Sequence, residues 1–316
     1  GPIATFPAVQ KRLRPVMSAR YPRQPAYIAG MLVLENVAKR FGHVEAVAGV
    51  SLRIERGEVF GLLGPNGAGK TTTLAMAVGL IEPDSGFVEI QGVGPPASPA
   101  ARRSLGFCPQ SIALYDRLTA RENLRFFGGL AGLGRGERRD RAEELLELVG
   151  LRDRAGERIA GYSGGMKRRL NLDAALLHEP ELVLLDEPTV GVDPHSRSAI
   201  FDLVRRFRDE GRAVVYTTHY MEEAHRLCHR VGIIDNGRLR AIGTIRELVD
   251  RYGGCTTVSV ERDGGVERFE TERPIETIAA IDLGARGPAA VRGLRIDPPD
   301  LERVFMSLTG RSLRDG

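Results

Sequence analysis

The stretch Gly64-Pro65-Asn66-Gly67-Ala68-Gly69-Lys70-Thr71-Thr72 restricts this chain more than any other. It fits G-x-x-x-x-G-K-[ST], and its surroundings suit the pattern. Val59 to Leu63 is an apolar run that reads as a buried strand, and Thr72 to Leu80 continues as a helix with Leu74, Ala77 and Val78 inward. The glycines let backbone N–H groups curl around phosphate oxygens, and a helix starting there adds partial positive charge. Lys70 is placed to neutralise the β and γ oxygens of a nucleoside triphosphate, and the Thr71 hydroxyl to ligate Mg²⁺. Lysine fills only four positions among 45 basic residues, so Lys70 is not compositional background.

At 316 residues the chain exceeds one ordinary core, so two domains, or one with lobes, are expected. No run approaches the roughly eighteen apolar residues of a membrane span. Cys108, Cys228 and Cys255 form neither a disulfide nor a zinc pattern, which suits a reducing cytosol. The net charge of +4 is unevenly spread. Lys11, Arg12, Arg14, Arg20 and Arg23 supply five positive charges to residues 1–29, which hold no acid, and the remainder carries −1. Such a body offers no basic surface, so no nucleic-acid partner is expected. Residues 1–30, Pro- and Arg-rich without apolar period, read as a flexible basic arm before a fold that opens at Met31.

From Leu32 to Val37 a strand pattern appears, and Val50, Leu52 and Ile54 alternate with polar residues before Gly57 turns into the strand of the phosphate loop. Phe41 suits either of two roles, stacking on an adenine ring or packing at a strand end. Strands follow at Phe87 to Gln91 and at Leu105 to Cys108, the latter stopped by Pro109 and presenting Gln110. Thr119-x-x-Glu122 is a capping box, and Ala142, Leu145, Leu146 and Val149 have helical spacing with Gly150 as stop. Residues 111–160 thus read as a helical lobe inserted into an α/β core. Ser163-Gly164-Gly165 opens a helix through Leu177, either as an anion site or as an ordinary N-cap.

The run Leu182 to Leu185 reads as a central parallel strand ending in Asp186 and Glu187, at the edge where α/β ligand crevices lie. Asp186 suits the Mg²⁺ shell, and Glu187 suits the orientation or deprotonation of an attacking water. Asp193-Pro194 caps a helix with Ile200, Leu203, Val204 and Phe207 inward. Ala213 to Thr218 is a strand ending at His219, a phosphate contact by position. His225, Cys228 and His229 fall roughly on one helix face but are too few for a metal site. A hairpin turns at Asp235-Asn236-Gly237, and a helix over Ile245 to Tyr252 leaves the core. Residues 251–316 then read as a small α+β unit, with strands around Asp263-Gly264-Gly265, a helix over Ile275 to Ile281, a strand over Val291 to Ile296 and a last helix over Pro298 to Leu308.

Taken together these motifs resemble the ATP-binding subunits of ABC transporters over residues 31–250. In order stand a phosphate loop, a glutamine loop at Gln110, a signature Tyr162-Ser163-Gly164-Gly165-Met166, a Walker B strand to Asp186 with Glu187, a D-loop ending at Asp193 and a histidine loop at His219. Tyr162 and Met166 stand where leucine and glutamine are usual. With Lys167-Arg168-Arg169, the run from Tyr216 to Ala224 and the tail from Pro299 to Arg311, that variant resembles the drug-resistance and nodulation-type exporter ATPases paired with ABC-2 permeases. Asp173 departs from the small residue usual there.

The resemblance implies an α/β fold: a P-loop NTPase core of the ABC ATPase type with an antiparallel β lobe, the helical lobe and the C-terminal unit. It implies MgATP held by Phe41, Gly64 to Thr72, Ser163, Gly164, Gly165 and Asp193, metal contacts from Thr71, Gln110 and Asp186, and catalysis by Lys70, Gln110, Glu187 and His219. It also implies a head-to-tail dimer, of identical chains or with a paralogous ATPase subunit. ATP would lie between one chain's phosphate loop and the other's signature, and an ABC-2-type permease would dock near Gln110 at the inner face of the cell membrane. The competing expectation is a soluble ABC ATPase outside transport, in cluster assembly or repair, although this chain has one cassette and neither heptads nor a coiled coil.

Overall fold

The computed structural model describes residues 31–281 and 290–310. The expected basic arm, residues 1–30, lies outside them, as does Arg311. The central layer is a six-stranded sheet made of β3 (Val59–Leu63), β5 (Leu105–Cys108), β6 (Leu182–Asp186), β7 (Ala213–Thr218), β8 (Arg230–Asp235) and β9 (Arg238–Thr244). The spatial order is β5-β6-β7-β3-β8-β9, parallel except for β9, which returns from β8 through Asn236 and Gly237, both at positive φ.

Alternation along the central strands divides the apolar residues between two cores. Val183, Leu185, Val214 and Tyr216 face α3 (Ala120–Leu130), α4 (Arg135–Leu148), α5 (Gly164–Leu176) and α6 (Pro194–Asp209). Leu182, Leu184, Phe60 and Leu62 face α1 (Lys70–Ala77) and a three-stranded antiparallel sheet, β2-β1-β4, built from β1 (Leu32–Phe41), β2 (Val44–Ile54) and β4 (Ser85–Ile90). Strands buried on both faces need apolar residues at every position, which is why Leu182 to Leu185 shows no alternation.

The expected capping box at Thr119 forms. Thr119 Oγ1 accepts from Glu122 N at 3.2 Å while Thr119 N donates to Glu122 Oε2 at 2.8 Å, closing the capping box of α3. Two features differ from expectation. The helix α1 starts at Lys70 and stops at Ala77, because Gly79 turns left-handed with φ +72° against the backbone of Ala97. A short helix, α2 (Pro99–Ser104), carries no apolar stripe and is made by its Ser98 cap and Pro99 start.

His225, Cys228 and His229 do not share a helix face. The helix α7 (Met221–Leu227) ends before Cys228, and His229 Nδ1 accepts from Val59 N at 3.0 Å. No group of three metal-binding side chains occurs among the described residues.

Beyond α8 (Ile245–Tyr252), β10 (Thr256–Arg262), β11 (Gly265–Thr271) and β12 (Val291–Asp297) form a third sheet, ordered β11-β10-β12, with α9 (Pro274–Ala279) beside it. The last helix, α10 (Leu301–Thr309), comes back to the catalytic body rather than staying with these strands. Leu301, Val304 and Phe305 are buried in one cluster with Leu63 of β3, Val231 and Ile233 of β8, and Leu248 of α8. Arg303 ties α10 to the third sheet through Cys255 O and Thr257 Oγ1. The sequence predicts a last helix over Pro298 to Leu308, but not what it covers.

Asp173 on α5 is fully buried and neither carboxyl oxygen accepts a hydrogen bond. Burial pushes its carboxyl well above the usual range, with Arg169 and Arg141 opposing. Ionisation of such a group adds no cost below its unfolded pKa and costs stability increasingly as pH rises toward its folded value, on top of the cost of burying it without a hydrogen-bond partner. Asp173→Ala is therefore expected to raise the melting temperature at pH 8 by about 2–4 °C, and by less at pH 4. A lower melting temperature at pH 8 would show that Asp173 is compensated by its arginines.

Candidate active site

Registers in the sheet bring the chemistry together. Leu63 pairs with Thr218, Asp186 with Thr217 and Cys108 with Leu185, so the segments following β3, β5, β6 and β7 leave the sheet at one level. Those segments hold the phosphate loop, Gln110, Glu187 and His219. They lie at the carboxyl ends of parallel strands, the usual ligand edge of such sheets.

The phosphate loop is shaped as a cradle. Gly67 and Gly69 are left-handed, with φ +77° and +104°, and a Cβ on Gly67 would meet nothing within 4 Å. A Cβ on Gly64 would lie 2.2 Å from Ile234 O, and one on Gly69 2.5 Å from Ala46 O. The loop is thus clamped between β8 and β2 on one side and open on the other. Asn66, Gly67 and Thr71 are exposed, while Pro65 and Ala68 are buried. The Lys70 ammonium is 4% exposed and donates to Gly64 O at 2.7 Å and Pro65 O at 2.9 Å, with Glu187 Oε1 also 2.9 Å away.

Glu187 is where the strands' loops converge. Its second oxygen, Oε2, accepts from Gln110 Nε2 at 3.3 Å and lies 3.3 Å from His219 Nδ1. Its backbone is left-handed, φ +45°, an uncommon conformation for a side-chain-bearing residue. The amide N–H of Glu187 donates to Thr217 Oγ1 at 2.9 Å, and that hydroxyl donates to Asp186 Oδ1 at 2.8 Å. Burial pushes the Asp186 carboxyl up, with Thr217 and then Thr71 opposing. Asp186 Oδ2 is buried and accepts no hydrogen bond, an orphaned oxygen beside the phosphate loop. An oxygen of that kind, next to a threonine hydroxyl, suits a hard divalent cation.

Sequence reasoning named Lys70, Gln110, Asp186, Glu187 and His219, and the fold joins them. It missed Thr217, whose only signal was its place one residue before the end of β7. It also missed Arg168 and Asn171 on the inner side of α5, which hold the Gln110 loop. Arg168 Nη1 donates to Pro109 O at 3.2 Å, and Asn171 Oδ1 accepts from Ala113 N at 2.9 Å.

Other candidates stand apart. Phe41 is 49% exposed at the tip of β1, which removes the core alternative. Ser163 caps α5 by accepting from Met166 N at 3.3 Å, and Gly165 packs against Ser196 and Asp193. Asp193 caps α6 through Ser196 N at 2.9 Å. Among the described residues no hydrogen bond or ion pair joins Ser163–Gly165 to the phosphate loop.

A cradle for phosphate with carboxylates, an amide and an imidazole converging beside it defines a nucleotide-hydrolysing site of the P-loop class. Relatives narrow this further. The family model described as ABC transporter matches residues 47–190. The linearmycin resistance ATP-binding protein LnrL of Bacillus subtilis is 45% identical, over 90% of this chain and 100% of its own length. A Nod factor export ATP-binding protein I of Cupriavidus metallidurans is 38% identical, over 91% and 100%. Among solved structures, an ATP-binding subunit of an ABC transporter superposes with TM-score 0.65 at 31% identity, covering 71% of this chain and 93% of that one. A dimeric ATP-binding cassette in a post-hydrolysis state with ADP and Pi gives 0.63 at 28%, covering 68% and 98%. The chain belongs to the ABC transporter family as an ATP-binding subunit and an ATPase, and it is similar to the drug-resistance and nodulation exporter members.

The Lys70–Glu187 contact is desolvated on both sides, so removing one partner strands the other. Lys70→Ala is expected to cost about 3 kcal/mol of nucleotide-free stability in urea denaturation. The double variant Lys70→Ala/Glu187→Gln is expected to recover at least half of that loss. Strictly additive losses would show the two side chains to be energetically independent.

Proposed function

We propose that this chain is the ATP-hydrolysing motor of an exporter whose permease, of the ABC-2 type, is a separate membrane protein. The observation that carries the chemistry is the meeting of Lys70, Gln110 and His219 on Glu187. In the nucleotide-free site Lys70 is held by Glu187. An incoming γ-phosphate competes for that ammonium, which releases Glu187 to accept a hydrogen bond from the attacking water and orient it. His219 then contacts the γ-phosphate from the side of β7, and the open N–H groups of Asn66 to Thr71 take the remaining oxygens. Thr71, Asp186 and Gln110 are the residues suited to hold Mg²⁺, which would neutralise phosphate charge there. Phe41, exposed at the tip of β1, suits stacking on adenine.

Ser163 to Gly165 form a helix N-terminus that makes no hydrogen bond or ion pair with its own chain's phosphate loop among the described residues. We place it over the nucleotide of a second, antiparallel copy or of a paralogous subunit, with Asp193 beside it. Closure around ATP and separation after hydrolysis would move the permease through differential binding of the two states. A docking face lies next to Gln110, where Ile112, Tyr115, Phe126 and Leu130 are between 37% and 69% exposed. No helix among the described residues is long and apolar enough to cross a membrane, so membrane association at the inner face would come through that partner. Residues 31–250 would be the nucleotide-binding domain and 251–316 an α+β addition. Relatives matched end to end are named for resistance and export, which favours this reading over a soluble ATPase of cluster assembly or repair.

Glu187→Gln is expected to keep ATP affinity within a few fold while lowering turnover by about 100-fold or more. The variant should also persist as an ATP-bound dimer on size-exclusion chromatography. Phosphate release at the wild-type rate would sink the role of Glu187. Mixing Lys70→Ala and Ser163→Arg chains tests the shared site. One nucleotide trapped per heterodimer supports a signature acting on the opposite chain, and none trapped, while wild type traps, excludes it.

A further inference from the structure

Glu223 takes no part in the chemistry just described, yet it is 2% exposed and has more partners than any catalytic side chain. It stands in the first turn of α7. Its Oε1 accepts from Thr189 Oγ1 at 2.7 Å and lies 3.7 Å from Arg197 Nε of α6. Its Oε2 accepts from Tyr216 OH at 3.0 Å and from Thr218 Oγ1 at 2.8 Å. Three hydroxyls and a guanidinium, from β7, the chain after β6 and α6, therefore close on one carboxylate.

The placement of those segments matters more than their number. Thr189 is two residues beyond Glu187, and Thr218 immediately precedes His219. Thr218 Oγ1 also accepts from Tyr220 N at 2.9 Å, so it fixes the backbone on both sides of His219. Arg197 lies 5.2 Å from the Tyr220 ring centroid, closing the arrangement from α6. On the front of these same loops, Glu187 Oε2 and His219 Nδ1 face each other at 3.3 Å. The left-handed backbone at Glu187 must be held by its surroundings, because an unconstrained loop would relax it. Thr217 holds its amide side, Val190 N donates to Glu187 O at 3.3 Å within the turn, and the Glu223 cluster grips Thr189 from outside it.

We propose that Glu223 is a positioning residue for ATP hydrolysis: its buried carboxylate, accepting from Thr189, Tyr216 and Thr218, locks the loop of Glu187 against the loop of His219. A carboxylate is needed because all three hydroxyls donate at once, which takes three acceptor sites spread over both oxygens and no donor. An amide at this position turns an N–H₂ group toward hydroxyls that already donate. The phosphate loop packs closely against Ile234 O and Ala46 O and is held by its own carbonyls, so the cradle that supplies most of the phosphate contacts stands apart from Glu223.

The inference rests on the assignment of Glu187 as the water-orienting group, and the test separates the two. Full-length wild type, Glu223→Gln, Glu223→Asp, Thr189→Val and Glu187→Gln are compared for binding of a fluorescent ATP analogue, for single-turnover hydrolysis and for melting temperature. Glu223→Gln is expected to lower the hydrolysis rate at least tenfold with affinity within threefold of wild type, and Glu223→Asp to restore part of the rate. Thr189→Val, a smaller perturbation that keeps side-chain volume, is expected to lower the rate several-fold by itself and to add little on top of Glu223→Gln. If Glu223→Gln does not fold, the Thr189→Val rate decides alone. Glu187→Gln inactive with Glu223→Gln or Thr189→Val at wild-type rate overturns the positioning role only. Glu187→Gln active overturns the underlying assignment. Rate and affinity falling together in Glu223→Gln would make Glu223 a structural residue of the whole fold and end the proposal.

Discussion

Two opposite charges, each about one-twentieth exposed, meet between the first turn of α1 and the end of β6. Desolvating an ammonium and a carboxylate is expensive, and it is tolerable only where geometry is good and the remaining valences are filled. Lys70 fills its own with two loop carbonyls, and Glu187 with an amide and an imidazole neighbour. This contact requires β3 and β6 to end at one level, which the parallel registers through β7 provide. It requires the glycine cradle, because only that loop brings Lys70 back over the strand end. A nucleotide-free site is thereby kept compact by the same groups that a triphosphate would engage.

Motifs whose chemistry and backbone geometry coincide were legible in the residues. The phosphate loop needs Gly67 and Gly69 at positive φ, and glycine is what the sequence shows. The capping box at Thr119 and the hairpin at Asn236-Gly237 are likewise local, and both formed as read. Strand ends carrying Asp186, Glu187 and His219 followed from apolar runs and their polar stops.

What was not legible is long-range. The burial of Asp173, the hold of Arg168 and Asn171 on the Gln110 loop, and the cluster around Glu223 depend on which helix faces which strand. The helix α2 lacked the apolar period that sequence reading relies on. The pairing of His225 with Cys228 and His229 failed for a simpler reason: α7 ends at Leu227, before either of the other two.

The packing of α10 has a consequence for the order in which the body matures. Leu301, Val304 and Phe305 cover Leu63, Val231 and Ile233, residues of the two central strands that flank the phosphate loop. Synthesis proceeds at about 5–20 residues per second, so several seconds separate the appearance of α8 from that of α10. Throughout that interval the nucleotide-binding body presents a bare apolar strip to solvent and chaperones. A nascent chain is thus complete in its motifs well before it is complete in its core, and a ribosome stalled in the third sheet would release a body with every catalytic residue and an adhesive flank.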